Sequence, residues 1–236
     1  MRLTVVLPFF NEEALLDSLP GTLDRIGAAL AAHDVRLLAV DDGSTDGTAA
    51  GLAGTPGLDV VTHKQNRGVG AAMRTGIEQA TGDAVLIYDP DEPYPAESLQ
   101  ELVAALDRAD LVTLSPYHPH GAVEGVPWGR LLLSRGASRL YRWRLRVPLH
   151  TYTCAVRAYR LPGARELVTG APDDFTAAAY LLAAAVARKW RIHEVPAVLR
   201  PRPAGRSKMR LFRTIRSHLR LLGDLPVTPP RHNTGS

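Results

Sequence analysis

The sequence predicts an α/β fold with a mostly parallel sheet and helices on both faces. Two observations lead to this prediction. Short, apolar, β-branched runs alternate with helical patterns through the first half of the chain, which is the order of a parallel sheet. Acidic and polar residues collect directly after these runs, where open α/β sheets bind their ligands.

The individual elements follow from apolar periodicity. Strands are predicted at 3–8, 36–40, 60–62, 84–88, 111–114, 151–159 and 192–195, and helices at 12–32, 68–80, 128–144, 174–188 and 207–222. The apolar run 175–187 is shorter than the ~20 residues of a membrane span, so it is interpreted as a buried helix. Without a repeat or linker, one domain is predicted over 1–222, with halves 1–110 and 111–222 and a loose tail at 223–236.

Composition and charge restrict the class of protein. The single cysteine, Cys154, cannot form an intrachain disulfide, and no secretory signal is seen, which favours a cytoplasmic location. The net charge of +4 conceals an asymmetry, with 7 Lys/Arg against 18 Asp/Glu in 1–110 and 21 against 6 in 111–236. This division predicts an acidic, metal-using half and a basic half that binds anions.

The pair Asp89-Pro90-Asp91 is the sharpest local feature, because it follows the apolar strand at 84–88. Two carboxylates at a strand end suit Mg²⁺ or Mn²⁺, which take few protein ligands and share substrate phosphates. Solvated turn aspartates are the alternative for an Asp-x-Asp pair in general. The position after a strand favours the metal site.

Two further loops have open interpretations. In the run 41–47, one carboxylate suits contact with a nucleobase or ribose, whereas Ser44, Thr45 or Asp46 suits the cap of the next helix. The run 66–70 has two glycines, Gly68 and Gly70, but lacks the third glycine of a dinucleotide fingerprint, so a NAD site is not predicted. These glycines allow either a ligand approach or simply a tight turn.

Taken together, four motifs resemble glycosyltransferase family 2 in their order and spacing. They are Val5–Pro8 with Asn11-Glu12, Val40–Gly47, Asn66-x-Gly68-x-Gly70 and Asp89-x-Asp91. The resemblance implies a GT-A, Rossmann-like fold and an inverting transfer from a nucleotide-diphosphate sugar. It implies that Pro8, Phe10, Glu12 and Asp41 line the nucleotide, and that Asp89 and Asp91 hold donor and metal.

The second half is similar to polyprenyl-phosphate (dolichyl-phosphate type) mannosyl- and glucosyltransferases. The similarity is carried by Glu194-Val195-Pro196, Arg202-x-x-Gly205-x-Ser207-Lys208, the run 131–137 and the run 157–160. It implies catalytic donor contacts at Arg202 and Lys208, and acceptor contacts at Arg130, Ser134 and Arg157. The implied substrates are GDP-mannose first, UDP-glucose second, and a polyprenyl phosphate acceptor.

Two departures from that group concern the acceptor. Pro116 stands where relatives carry an arginine, and the segment 150–153 lacks the usual aspartate. His118, His120 or His150 could replace these contacts, although a structural role is commoner for a histidine. A phosphate acceptor needs no general base, whereas a hydroxyl acceptor would draw on His150, Asp173 or Asp174.

The basic segments suggest a membrane surface as partner. On a helix over 207–222, an apolar stripe would be flanked by arginines. The stripe consists of Leu211, Phe212, Ile215, Leu219 and Leu222. It suits either peripheral contact with the cytoplasmic face of an anionic membrane or packing on the domain's own core.

Other functions compete with lipid glycosylation. A glycosyltransferase of the same fold with a soluble hydroxyl acceptor remains open because of Pro116. A nucleotidyltransferase is disfavoured, because 8–12 is not a glycine-rich loop. A nucleic-acid binder is disfavoured too, since the arginines form no recognised motif and an acidic metal site has no place there.

Overall fold

The strands come from both halves of the chain and join in one main sheet. They are β1 (Arg2–Phe9), β2 (Asp34–Asp41), β3 (Leu58–Thr62), β4 (Ala84–Ile87), β5 (Leu111–Ser115), β6 (Ala122–Val123), β7 (Arg157–Arg160), β8 (Ile192–Pro196) and β9 (Val198–Leu199). The computed structural model describes residues 1–201 and 211–225, except for the side chains of residues 130 and 211–213. The main sheet has the order β3-β2-β1-β4-β7-β5-β8, and β6 pairs with β9 beside it.

Most of the main sheet is parallel, as predicted. β1 pairs in parallel with β2 and β4, β2 with β3, and β5 with β8. β7 is antiparallel to both of its neighbours, β4 and β5. The register places Phe9 beside Asp41 and Asp41 beside Thr62, so the carboxyl ends of β1, β2 and β3 lie at one edge. The chemistry-bearing loops leave from this edge.

Helices cover both faces of the sheet. They are α1 (Leu19–Ala29), α2 (Thr48–Ala53), α3 (Val69–Gln79), α4 (Ser98–Ala104), α5 (Trp128–Leu145), α6 (Gly163–Leu167), α7 (Ala177–Ala187) and α8 (Leu211–Asp224). Side chains alternate along β1, so Val5 and Leu7 join the apolar core formed with α1, α2 and α4. Val6 joins the other core, with α3, α5, α6, α7 and α8.

The predicted helix over 12–32 was too long. The structure has a 3₁₀ turn at Glu13–Leu15 and begins α1 only at Leu19. Pro20 stands in the first turn of α1, where its missing N–H costs no hydrogen bond. Periodicity could not show that the residues before it are held by contacts with the loop after β2.

The predicted strand over 151–159 is confined to β7. Upstream of β7, Thr151 N donates to Glu194 Oε1 at 2.8 Å, and Tyr152 N donates to Ser138 Oγ at 3.1 Å. Side chains therefore take the N–H groups that a strand ladder would need. The apolar alternation of this segment serves packing instead.

The last helix, α8, extends to Asp224, two residues beyond the predicted domain boundary at 222. Its buried side consists of Thr214, His218 and Leu221, and this side packs against α5. Leu219, from the predicted apolar stripe, is exposed. Leu222 of the predicted stripe packs against the core, and the side chains of Leu211 and Phe212 lie outside the described part of the chain. Helix α8 therefore packs on the protein's own core, while membrane contact through the rest of the stripe stays a prediction.

Candidate active site

The loops that follow β1 and β2 hold each other in place. Asn11 N donates to Ser44 Oγ at 2.8 Å, and Glu12 N donates to Thr48 Oγ1 at 2.8 Å. In the other direction, Thr45 N donates to Asn11 Oδ1 at 2.7 Å. These bonds fix the backbone that carries the predicted nucleotide-binding residues of the first loop. They also explain why the helix begins only after this segment.

The carboxylate of Asp42 ties this pair of loops to the loop after β3. It is 1% exposed and lies within 2.7 Å of His63 Nδ1. It accepts hydrogen bonds from Asn66 Nδ2 at 2.9 Å, Arg67 N at 3.0 Å and Gly68 N at 2.7 Å. A carboxylate with this many partners organises the loop, since each lone pair is used within the protein.

The glycines before and within α3 serve close packing. A Cβ on Gly68 would lie 2.2 Å from the carbonyl oxygen of Asp173, and one on Gly70 would lie 2.2 Å from that of Pro172. Gly70 N donates to Asp173 O at 2.8 Å. Because the N-terminus of α3 rests on this backbone, its amide groups are not presented to an anion. Gly68, with a φ of 110°, fits the tight turn expected of this motif, and because it also lines the cleft, a ligand approach there stays a prediction.

The turn after β4 carries the two carboxylates of the Asp89-Pro90-Asp91 motif. Glu92, with a φ of 46°, follows at once, and its carboxylate accepts from Thr22 Oγ1 at 2.6 Å and from the Arg25 guanidinium. Burial opposes ionisation of Glu92, but the bonds from Arg25 and Thr22 prevail and hold its pKa below the usual value. The ionised Glu92 therefore anchors the acidic turn to α1.

These loops open onto one cleft of about 970 Å³. Its lining from the first half includes Pro8, Phe10, Glu12, Asp42, Asn66, Arg67, Asp89 and Asp91. Its lining from the second half includes Pro116, Tyr117, Val126, Leu131, Ser134, Thr151, Thr153, Asp173, Asp174 and Phe175. The cleft thus joins an acidic wall to a wall of apolar and hydroxyl side chains.

The acidic wall has the donor chemistry of a site for a hard divalent cation. Asp89 and Asp91 both line the cleft, and Asp91 is only 5% exposed. Among the described residues, no group of three or more His, Cys, Asp or Glu side chains could hold a metal ion. A pair of carboxylates fits Mg²⁺ or Mn²⁺ that completes its shell with diphosphate oxygens and water.

Over most of its length, the sequence matches a known protein family. Residues 4–167 match the family model described as glycosyl transferase family 2. The chain belongs to glycosyltransferase family 2. It is 34% identical over 219 residues to the polyprenol monophosphomannose synthase of Mycolicibacterium smegmatis, covering 88% of this chain and 81% of that protein.

Two further similarities concern the rest of the chain. An undecaprenyl-phosphate 4-deoxy-4-formamido-L-arabinose transferase of Enterobacter sp. is 31% identical over 242 residues, covering 98% of this chain and 69% of that protein. The crystal structure of glucosyl-3-phosphoglycerate synthase from Mycobacterium tuberculosis with Mn²⁺ and UDP-glucose superposes with a TM-score of 0.71 at 24% identity, covering 95% and 80% of the two chains. This superposition identifies the fold of our glycosyltransferase as GT-A.

Across residues 1–201 and 211–225, no helix combines the length and the hydropathy needed to cross a bilayer.

Asp41 of this glycosyltransferase does not reach the cleft surface itself. It is buried, and Ser44 donates to its Oδ1 through both backbone N–H and hydroxyl. Its Oδ2 accepts no hydrogen bond from the described atoms. A buried carboxylate oxygen without such a bond can accept one from a ligand. The predicted contact between Asp41 and the nucleotide stays a prediction.

Arg157, which was predicted to contact the acceptor, lies in the interior of the protein. The side chain is fully buried, and its guanidinium donates to Thr113 Oγ1 at 3.2 Å, to Tyr152 O at 2.8 Å and to Ala178 O. Its position therefore supports a structural role beneath the cleft and not direct contact with an acceptor. Sequence similarity alone cannot distinguish a residue that packs from one that binds a substrate.

The side chains of three predicted site residues lie outside the described part of the structure. Arg202 and Lys208 lie in the segment 202–210, and the side chain of Arg130 is likewise not described. Ser134, the remaining residue predicted to contact the acceptor, lines the cleft and shares a hydrogen bond of 2.8 Å with Thr153 Oγ1.

The candidate general bases differ in their placement. Asp173 and Asp174 line the cleft, whereas the lining does not include His150. Asp173 pairs with Arg74, and the pKa of Asp174 lies below its usual value, because hydrogen bonds from Ser217 and Thr176 outweigh the effect of burial. The lowered pKa makes Asp174 a weak proton acceptor.

Three histidines of the second half, His118, His120 and His150, form a small cluster beside the cleft. The rings of His118 and His120 are 5.5 Å apart, and those of His118 and His150 are 5.3 Å apart. His150 is oriented by Glu194, whose Oε2 lies 2.8 Å from His150 Nδ1. In the sequence, Glu194 is distinguished only as part of a motif, because its contact with residues 150–151 depends on strand β8 lying beside β5.

Proposed function

We propose that this glycosyltransferase moves a hexose, with inversion, from a nucleotide-diphosphate sugar to a polyprenyl phosphate, using Mg²⁺ or Mn²⁺. Mannose from GDP-mannose is the first donor and glucose from UDP-glucose the second. The single observation that carries the proposal is the cleft in which the carboxylates of Asp89 and Asp91 share one space with Ser134. The similarity to a polyprenol monophosphomannose synthase over 88% of the chain supports it.

On the donor side, the first loop and the acidic turn supply the binding residues. Pro8 lies in β1, and Phe10 and Glu12 lie on the interlaced backbone that follows it, so their positions are set before substrate arrives. Asp89 and Asp91 would hold the cation, which would neutralise charge on the departing diphosphate. Arg202 and Lys208 would contribute positive charge to the same leaving group. Stabilisation of the leaving group is the main catalytic demand of such a displacement.

On the acceptor side, the state of the carboxylates favours a phosphate nucleophile. Asp173 is engaged by Arg74, and the lowered pKa of Asp174 makes it a poor base. A phosphate oxygen is already anionic near neutral pH and attacks without a base. The apolar side chains of Val126 and Leu131 in the same cleft suit the first isoprene units of a lipid acceptor.

The acceptor class also implies a place of action. A polyprenyl phosphate resides in a bilayer, so the enzyme would work as a peripheral protein, for which we propose the cytoplasmic face of the membrane. Arg130 would contact the acceptor phosphate next to Ser134. No role for nucleic acid is proposed.

The decisive experiment is a donor screen that follows release of nucleoside diphosphate. GDP-mannose and UDP-glucose are each incubated with Mn²⁺ or Mg²⁺, with and without a polyprenyl phosphate. Release that requires both cation and lipid phosphate supports the proposal and identifies the donor. Turnover that EDTA leaves unchanged would refute the metal site. Donor hydrolysis indifferent to the lipid would refute the acceptor class.

A soluble hydroxyl acceptor is the second candidate. It is favoured by the position of Asp173 in the cleft, since a carboxylate there could accept a proton once released from Arg74. Transfer to small alcohols that Asp173→Asn abolishes, together with inactivity towards prenyl phosphates, would establish this candidate in place of the first.

A further inference from the structure

The outward side of α5 carries a concentration of exposed apolar side chains. Trp128 is 79% exposed, Trp143 is 77% exposed and Leu132 is 64% exposed. Together with Leu140 they account for four of the six large hydrophobic side chains that are exposed among the described residues. We call Trp128, Leu132, Leu140 and Trp143 the α5 outer face. Exposed apolar groups concentrated in this way indicate an interaction surface.

The same helix is strongly basic and lacks compensating acids. Its exposed arginines include Arg135, Arg139 and Arg142, and none of them forms an ion pair with another described residue. The sequence holds no Asp or Glu between Glu124 and Glu166. A partner for this surface therefore has to offer negative charge together with an apolar phase.

We infer that the α5 outer face docks on an anionic lipid bilayer, with the tryptophans at the level of the headgroups. Tryptophan is enriched at that level because its ring is amphipathic, and each arginine near an anionic leaflet adds attraction. A second copy of the chain fits less well. A two-fold interface would bring the arginines of this face against the same arginines of the other copy.

The position of α5 relative to the cleft gives this docking a consequence. Leu131 and Ser134 line the cleft, while Leu132 and Arg135, the next residues along the chain, face outwards. The Arg135 guanidinium stacks 5.0 Å from the centre of the Tyr117 ring, which also lines the cleft. Docking through α5 would therefore place the cleft beside the bilayer. This consequence, unlike the docking itself, rests on the proposed function.

The inference assigns membrane contact to α5 and not to the apolar stripe predicted on α8. The side of α8 that carries His218 and Leu221 is buried against α5, and the Tyr141 hydroxyl lies 2.9 Å from His218 Nδ1. Residues 1–201 and 211–225 therefore leave the outer side of α5 exposed.

Vesicle binding of the full chain tests the inference directly. Sedimentation with vesicles of equal phosphatidylcholine and phosphatidylglycerol is compared with pure phosphatidylcholine. We expect binding to the anionic vesicles, with at least a tenfold loss of partitioning for Trp128→Ser/Trp143→Ser and a clear loss for Arg139→Glu. The matched control is Arg2→Glu, the same reversal at an exposed arginine at the opposite end of β1 from the cleft. It should change partitioning less than twofold.

Tryptophan fluorescence supplies a second readout. The chain has three tryptophans, two of which are on the α5 outer face. In a Trp190→Phe background, anionic vesicles should shift the emission to shorter wavelength. An unshifted spectrum, or vesicle binding by Trp128→Ser/Trp143→Ser equal to that of the parent, would overturn the inference. So would conversion of a dimer to a monomer by the same variant, because that result assigns the face to a second copy. Tight, salt-sensitive binding to nucleic acid in place of vesicles would overturn it as well.

Activity separates this inference from the proposed function. Trp128→Ser/Trp143→Ser should lose activity towards a long-chain polyprenyl phosphate in vesicles but keep it towards a short-chain prenyl phosphate in solution. Equal loss on both acceptors would count against docking as the cause. If neither acceptor is used by any variant while vesicle binding still depends on α5, the proposed function fails and the docking surface stands.

Discussion

Replacement of Asp42 by alanine tests whether this carboxylate is the hub that shapes the nucleotide side of the cleft. Four donors surround it, from His63, Asn66, Arg67 and Gly68, at 2.7–3.0 Å. Asp42 is buried and the His63 side chain is 7% exposed, whereas Asn66 and Arg67 are exposed. Water can therefore replace only some of the lost bonds.

The expected cost follows from these environments. A hydrogen bond to a charged group contributes about 1.5–3 kcal/mol, and less where water takes its place. Counting about 1–2 kcal/mol for each of His63 and Gly68, and about 0.5 kcal/mol for each of the exposed partners, Asp42→Ala should cost about 3–5 kcal/mol. This is a large share of the ~5–15 kcal/mol that stabilises a typical native protein. For a chain of this length, it corresponds to a fall in Tm of about 10 °C.

Equilibrium unfolding in urea measures this cost, with Asp46→Ala as the matched control. Asp46 belongs to the same loop, but it is exposed and its main partner is Thr48, whose N–H lies 3.0 Å from Oδ1. The control should lose about 1 kcal/mol or less. Equal losses in the two variants would refute the hub. A stable Asp42→Ala variant with normal donor binding would refute its role in shaping the cleft.

Three further predictions concern catalysis and pH. Asp91→Asn should lower cation-dependent release of nucleoside diphosphate at least about a hundredfold while thermal unfolding stays unchanged, and the exposed Asp107→Asn should behave as the parent in both assays. Lys208→Ala should reduce the use of donor, and a change confined to the KM of the acceptor would contradict its assignment to the diphosphate. Burial lowers the pKa of His218 below its usual 6.5 despite the charge of Asp174, so the unfolded chain binds more protons in mild acid. Stability should therefore be fully present above pH 6.5 and fall on acidification towards the folded pKa, and His218→Gln should weaken this dependence in urea titrations at pH 7.5 and 5.5.

The sequence by itself determined the class of fold and the family. The apolar patterns of strands and helices are set by residues close together in the chain. The strands β1 to β4 and their parallel pairing could therefore be predicted. The spacing of Asp89 and Asp91 after an apolar strand likewise placed two carboxylates at the sheet edge that forms the cleft. Motif order was sufficient for the family because it is a property of the chain alone.

The tertiary structure decided what each polar residue does. Asp41 and Asp42 are adjacent and chemically identical, yet only the arrival of the segment 66–68 makes Asp42 the hub. Arg157 resembled a ligand-binding residue, but its acceptors come from distant segments that close around it. Which side of α5 is exposed within the described part of the chain depended on the packing of α8. The physical reason is the same in each case: burial and hydrogen bonding are set by residues far apart in the chain, which local pattern does not contain.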